Sequence, residues 1–149
     1  MVLTLISIDQ FLKYFSIEYL KNIGSIEIMK NVYFTYSENK GVGFGLFENN
    51  QLIFITIAII GCFIGFYLIF MGNISSVAKS SILFLISGTV GNMIDRIRLG
   101  FVVDYIGFKG KIDFIFNIAD IFIVVAVIIL FVRVLLFYGK YDYIKSKRI

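Results

Sequence analysis

Leu52-Ile53-Phe54-Ile55-Thr56-Ile57-Ala58-Ile59-Ile60-Gly61-Cys62-Phe63-Ile64-Gly65-Phe66-Tyr67-Leu68-Ile69-Phe70 contains no charged residue. A helix rises about 1.5 Å per residue, so about 20 residues cross a hydrocarbon core of about 30 Å, and this stretch reads as a membrane span. Residues 118–137 read the same way, interrupted only by Asp120 at the start and by Arg133 near the end, where a long side chain can snorkel. Residues 77–94 form a third candidate, with Lys79 at one edge and Asn92, Asp95 and Arg96 at the other. Residues 2–20 carry Asp9, Lys13 and Glu18, which leaves them between a span and an amphipathic interfacial helix on hydropathy alone. Asp9 and Lys13 are four apart and share a helix face, where they can pair toward a bundle interior.

The composition supports a membrane protein: 59% of residues are hydrophobic and 16% charged, with a mean hydropathy of +0.91, beyond what a soluble 149-residue domain needs for its core. The chain has no Trp, so interfacial anchoring falls to Tyr14, Tyr19, Tyr33, Tyr36, Tyr105, Tyr138, Tyr141 and Tyr143 at or beyond segment ends. There is no Pro to kink a helix. There is no His, the commonest metal ligand and general base, and no metal, nucleotide or other cofactor is expected. Cys62 lies in Gly61-Cys62-Phe63 as a small helix-packing residue. The net charge of +4 points to anionic lipid headgroups as partners rather than to nucleic acid, since no basic cluster is interleaved with polar surface.

Between the first two spans, Val32-Tyr33-Phe34-Thr35-Tyr36 has strand-like residues, and Lys40-Gly41-Val42-Gly43-Phe44-Gly45 follows with three glycines. Together they read as a small sheet and a close turn. No Lys-Ser or Lys-Thr follows the glycines, so they do not form a phosphate loop. The C-terminal tail holds Lys140, Lys145, Lys147 and Arg148 against Asp142, which argues for a cytoplasmic C-terminus, and four spans then put the N-terminus there too; the basic bias is confined to the tail, since the outer loops carry Lys21, Lys30, Lys40, Arg98, Lys109 and Lys111.

With that topology the polar residues converge on the outer face. Asn92, Asp95 and Arg96 sit at i, i+3 and i+4 on the end of the third helix, Asp104 follows in the loop 98–116, and Asn117 and Asp120 open the fourth helix. Asn39 lies on the same face. Ionisable groups beside membrane segments are costly and mark functional sites by default. A structural reading competes: Asn117 caps the fourth helix, Asp120 complements its dipole, and Asp95 pairs with Arg96 at the interface. Asp113 reads as a solvated loop charge beside Lys109 and Lys111.

Asp9-Gln10-Phe11-Leu12-Lys13, Asn39-Lys40-Gly41-Val42-Gly43-Phe44-Gly45, Gly91-Asn92-Met93-Ile94-Asp95-Arg96, Gly100-Phe101-Val102-Val103-Asp104-Tyr105 and Phe116-Asn117-Ile118-Ala119-Asp120 occur in an order that resembles bacterial lipoprotein signal peptidase, or signal peptidase II. The likeness runs from residue 9 to about 136. It implies a mainly α membrane peptidase with four transmembrane helices, a small extracytoplasmic β-sheet cradle and a short interfacial helix. It also implies an aspartic endopeptidase of the bacterial inner membrane that cleaves prolipoproteins before a diacylglyceryl-modified cysteine and is blocked by cyclic peptide antibiotics. The resemblance places the catalytic pair on Asp104 and Asp120, with support from Asn39, Asn92, Asp95, Arg96, Asn117, Asp9 and Lys13. Lys40, Val42, Gly43 and Leu12 depart from the family pattern and bear on the substrate cradle. A non-catalytic four-span carrier or scaffold with relay aspartates is the competing class; a carrier would place its carboxylates mid-span.

Overall fold

The computed structural model describes residues 1–41, 50–111 and 113–146. Helix α1 (Val2–Phe15) continues without a break through a π-helical turn, Ser16–Leu20, into the short α2 (Lys21–Ile23). It stops at Gly24, whose φ of +88° a side chain would resist. The remaining helices are α3 (Gln51–Met71), α4 (Ser76–Leu99) and α5 (Ile118–Ser146). Three segments are long and apolar enough to cross a membrane: α3, α4 and Ile118–Phe137 of α5. Gly43 and Gly45 of the glycine run lie outside the described residues. Among the described residues, no separate short interfacial helix lies beside the sheet.

Helix α4 is the axis of the bundle. It extends a turn beyond the expected 77–94 and ends at Leu99, where Gly100 takes the left-handed conformation at φ +79° and donates its N–H to the Arg96 carbonyl. Its buried stripe of Ser81, Ser87, Gly88, Gly91, Asn92 and Asp95 combines small residues with polar ones. Small residues let membrane helices approach closely where hydrocarbon offers no hydrophobic drive. At Gly88 a Cβ would overlap the Ala119 carbonyl oxygen, so α4 and α5 touch backbone to backbone. Ser81 and Ser87 donate to the Val77 and Leu83 carbonyls at 2.9 and 2.7 Å, which satisfies both hydroxyls without a partner helix.

On its other side α4 meets α1. A Cβ on Gly91 would lie 2.5 Å from Asp9 Oδ2, inside the packing distance of any real pair. Gly91→Ala is therefore expected to cost about 1–3 kcal/mol through overpacking. Thermal unfolding in detergent checks it, and an unchanged midpoint would refute the close approach. In α3 only Ala58 and Gly65 are buried, with Gly65 against Ile82 and Ile86 of α4, and most of its large apolar side chains face outward as a lipid-facing helix requires.

The stretch 98–116, expected as a loop, carries two antiparallel strands. Strands β1 (Ile26–Met29), β2 (Val32–Asn39), β3 (Val102–Phe108) and β4 (Phe114–Phe116) pair antiparallel in chain order. Strand β2 runs past the expected 32–36 to Asn39. Its register against β3 shifts between Phe34, opposite Ile106, and Ser37, opposite Asp104. Residues directly opposite share a sheet face, and a one-residue slip exchanges faces. Without the bulge Glu38 would share the face of Asp104; the extra residue gives that place to Asn39.

Candidate active site

The site forms where α1, α4, β2, β3 and α5 meet. Asp104 lies on β3, 2% exposed. Asn39 Nδ2 donates to its Oδ2 at 2.9 Å and Asn117 Nδ2 to its Oδ1 at 2.6 Å. Asp120 sits in the first turn of α5, where the helix dipole favours a negative charge. Its Oδ1 accepts from Asn92 Nδ2 at 2.8 Å and its Oδ2 from the Asn117 backbone N–H at 3.1 Å.

Asn117 joins the two aspartates. Its Oδ1 accepts the Asp120 N–H at 3.0 Å, completing a reciprocal capping box, while its Nδ2 reaches Asp104. The capping expectation is met, and the same residue reaches Asp104. Fully buried, Asn117 also approaches Asn92 Oδ1 at 3.2 Å and the Val103 carbonyl at 3.4 Å.

Behind this pair lies a buried ionic cluster. Lys13 Nζ is 3.0 Å from Asp9 Oδ2 and 3.0 Å from Asp95 Oδ2, and it donates to Asn92 Oδ1 at 2.8 Å. The expected Asp9–Lys13 pair is present. The expected Asp95–Arg96 pair is not. Asp95 gives its carboxylate to Lys13, to Gln10 Nε2 at 3.0 Å and to the Val103 N–H at 3.1 Å, while Arg96 lies over the Phe54 ring at 4.6 Å and donates to the Asn92 carbonyl at 3.4 Å. The reason is helical geometry: adjacent residues diverge by about 100° around the axis, so Asp95 faces α1 and β3 while Arg96 faces α3. Asp113 is exposed and accepts from the Gly110 N–H at 3.0 Å, as a loop charge does.

Two participants were not among the site residues read from the sequence. Gln10 links α1 to α4 through Asp95 and the Gly91 carbonyl, at 3.0 and 3.1 Å. Its position beside Asp9 was the available signal. Buried Tyr105 accepts the Ile118 N–H on its hydroxyl oxygen at 3.3 Å, tying β3 to the start of α5, and burial first, with nearby carboxylates, pushes its ionisation up. Nothing in the sequence pattern distinguished it from an interfacial anchor.

Burial pushes the Asp104 carboxyl up to about 6, with the Asp120 charge adding to the rise. The sign follows: relative to the unfolded chain, this group's contribution to stability is fully present below about 3.8 and is lost as pH rises through about 6. Carboxyl ¹³C NMR of the protein in detergent is expected to show Asp104 titrating near 6, with a lower midpoint in Asp120→Asn. An unmoved midpoint would refute the electrostatic coupling.

Fold and site together define a multi-pass membrane enzyme. Residues 1–136 match the signal peptidase (SPase) II family, and the chain belongs to that family. It is 41% identical over 140 residues to a lipoprotein signal peptidase of Clostridioides difficile (strain 630), covering 93% of this chain and 95% of that one. It is 41% identical over 124 residues to a lipoprotein signal peptidase of Caldanaerobacter subterraneus, covering 83% and 85%. A bacterial membrane enzyme solved by the in meso method at 2.3 Å resolution superposes with a TM-score of 0.83 at 29% identity, covering 90% of this chain and 84% of that one.

Proposed function

We propose that this peptidase removes the signal peptide of prolipoproteins by aspartic chemistry, cutting just before a diacylglyceryl-modified cysteine, with Asp104 and Asp120 as the reacting pair. The observation that carries the reading is the Asn117 junction: one residue donates its side-chain amide to Asp104 and its backbone amide to Asp120. Asp120, held by two donors at a helix N-terminus, is the base that takes a proton from water as the water oxygen attacks the scissile carbonyl. Asp104, buried on its strand with a raised pKa, holds the proton, hydrogen-bonds the carbonyl oxygen and delivers the proton toward the leaving nitrogen. An apolar substrate that displaces water from the site favours the protonated form of Asp104 further.

The membrane frame is a four-span bundle of the bacterial inner membrane, with both termini cytoplasmic and the sheet and site at the outer face. The continuous helical run from Val2 to Ile23 supplies the fourth span. Its charges Asp9 and Lys13 are buried against each other, while Leu3, Phe11 and Tyr14 are exposed to lipid. A lipidated precursor reaches such a site by lateral diffusion. The carrier reading loses ground because Asp104 lies on a strand and Asp120 in the first turn of α5, neither at the middle of a span.

Detergent-purified protein is expected to cleave a diacylglyceryl-modified prolipoprotein and to leave the unmodified precursor intact, with cleavage blocked by the cyclic peptide antibiotics active on the family. Equal cleavage of both precursors would overturn the lipid requirement, and no cleavage of either would overturn the peptidase reading.

A further inference from the structure

We propose that Lys13 is a positioning residue for Asp120, acting through the side-chain amide of Asn92. The inference rests on the peptidase reading and deepens it. Among the described residues the side chain of Asn92 bridges the buried cluster and Asp120: its Oδ1 accepts from Lys13 Nζ at 2.8 Å and its Nδ2 donates to Asp120 Oδ1 at 2.8 Å. An amide offers an acceptor at one end and a donor at the other. Which end faces Asp120 is therefore set jointly by the Asp120 carboxylate and by what stands at the opposite end.

At that opposite end stands Lys13. The ammonium has three donors and no acceptor, so it demands the carbonyl end of Asn92. The other donor at that end, Asn117 Nδ2, stands at 3.2 Å and divides its two hydrogens among Asn92, Val103 and Asp104, with the shortest contact at 2.6 Å to Asp104. It is a weak determinant beside a charged donor at 2.8 Å. With Asn92 reversed, a carbonyl oxygen would face the Asp120 carboxylate and an NH₂ group would face the ammonium, so that both contacts become repulsive.

The placement of Lys13 is itself held from several elements. Asp9 from α1 and Asp95 from α4 fix the ammonium, Gln10 and the Val103 N–H fix Asp95, and Gly91 makes the space for Asp9. Lys13 makes no ion pair with Asp104 or Asp120. Beside the longer-range pull of its charge on Asp104, Lys13 orients one amide, which prearranges Asp120 with its donor in place before substrate arrives.

Removing the ammonium also leaves two buried carboxylates, so the test holds charge constant. Lys13→Met with Asp95→Asn and Lys13→Gln with Asp95→Asn keep the same charge as the native cluster and differ in whether residue 13 can donate to Asn92. Both are purified in detergent, matched for folded protein by thermal unfolding, and assayed on a diacylglyceryl-modified prolipoprotein beside the unsubstituted chain. The Met form is expected to show a kcat about tenfold or more below that of the Gln form at the same KM, in line with loss of a group that orients a reacting residue through one intermediary. Equal kcat in the two forms, or a difference confined to KM, overturns the proposal while leaving the peptidase reading standing. Absence of cleavage by the unsubstituted chain overturns both.

Discussion

Asp104→Asn and Asp120→Asn are each expected to lower kcat by about 10³-fold or more while the protein extracts and unfolds like the parent. The two losses have different origins. Asn at 104 cannot release a proton, so the leaving nitrogen has no acid, and Asn at 120 cannot accept one, so the water has no base. The local fold tolerates either change, because an amide keeps one oxygen for a native donor: Asn39 or Asn117 at position 104, and Asn92 or the Asn117 N–H at position 120. The double variant is expected to be scarcely slower than either single one, since groups that act as a unit are strongly non-additive. Turnover is followed as release of signal peptide from a diacylglyceryl-modified precursor at matched amounts of folded enzyme. A variant that retains a tenth of the parent rate would remove its aspartate from the chemistry.

Lys13→Ala is expected to be the most destabilising single change in the chain, by about 3–5 kcal/mol. Lys13 is 1% exposed and Asp9 0% exposed, and with the ammonium gone Asp9 and Asp95 would both be buried without a cation in contact. Asp9 is the more vulnerable, because its Oδ1 already has no hydrogen-bond partner. Adding Asp9→Asn and Asp95→Asn to Lys13→Ala is expected to recover much of the loss, since it removes the stranded charges rather than restoring the pair. Thermal unfolding in detergent and yield of folded protein measure both effects. A Lys13→Ala protein with parent stability would show that the ammonium is not what holds the cluster together.

These two predictions draw on different kinds of legibility. The spans at 52–70 and 118–137 could be read directly, because hydrocarbon admits little besides uninterrupted apolar helix at that length, and the structure places α3 and the start of α5 there. The Asp9–Lys13 pair was readable from its four-residue spacing, since helical periodicity fixes which side chains meet within one element. A different cue misled at Asp95 and Arg96. Adjacency in sequence suggested a pair, but adjacent helical positions point to different neighbours, and only the packing of α1 and β3 against α4 gave Asp95 to Lys13.

Local chemistry by itself determined the membrane helices, the polar ends of α4 and α5, and the residues from which a site could be built. Tertiary structure alone decided that residues 102–108 form a strand, that a bulge in β2 gives Asn39 the face of Asp104, and that Asn117 and Asn92 connect five chain segments into one hydrogen-bonded cluster. The physical reason is range. Burial in lipid and helical spacing act on neighbours in sequence and leave a visible period, whereas strand register and the direction of an amide depend on partners as distant as the 65 residues between Asn39 and Asp104 or the 79 between Lys13 and Asn92.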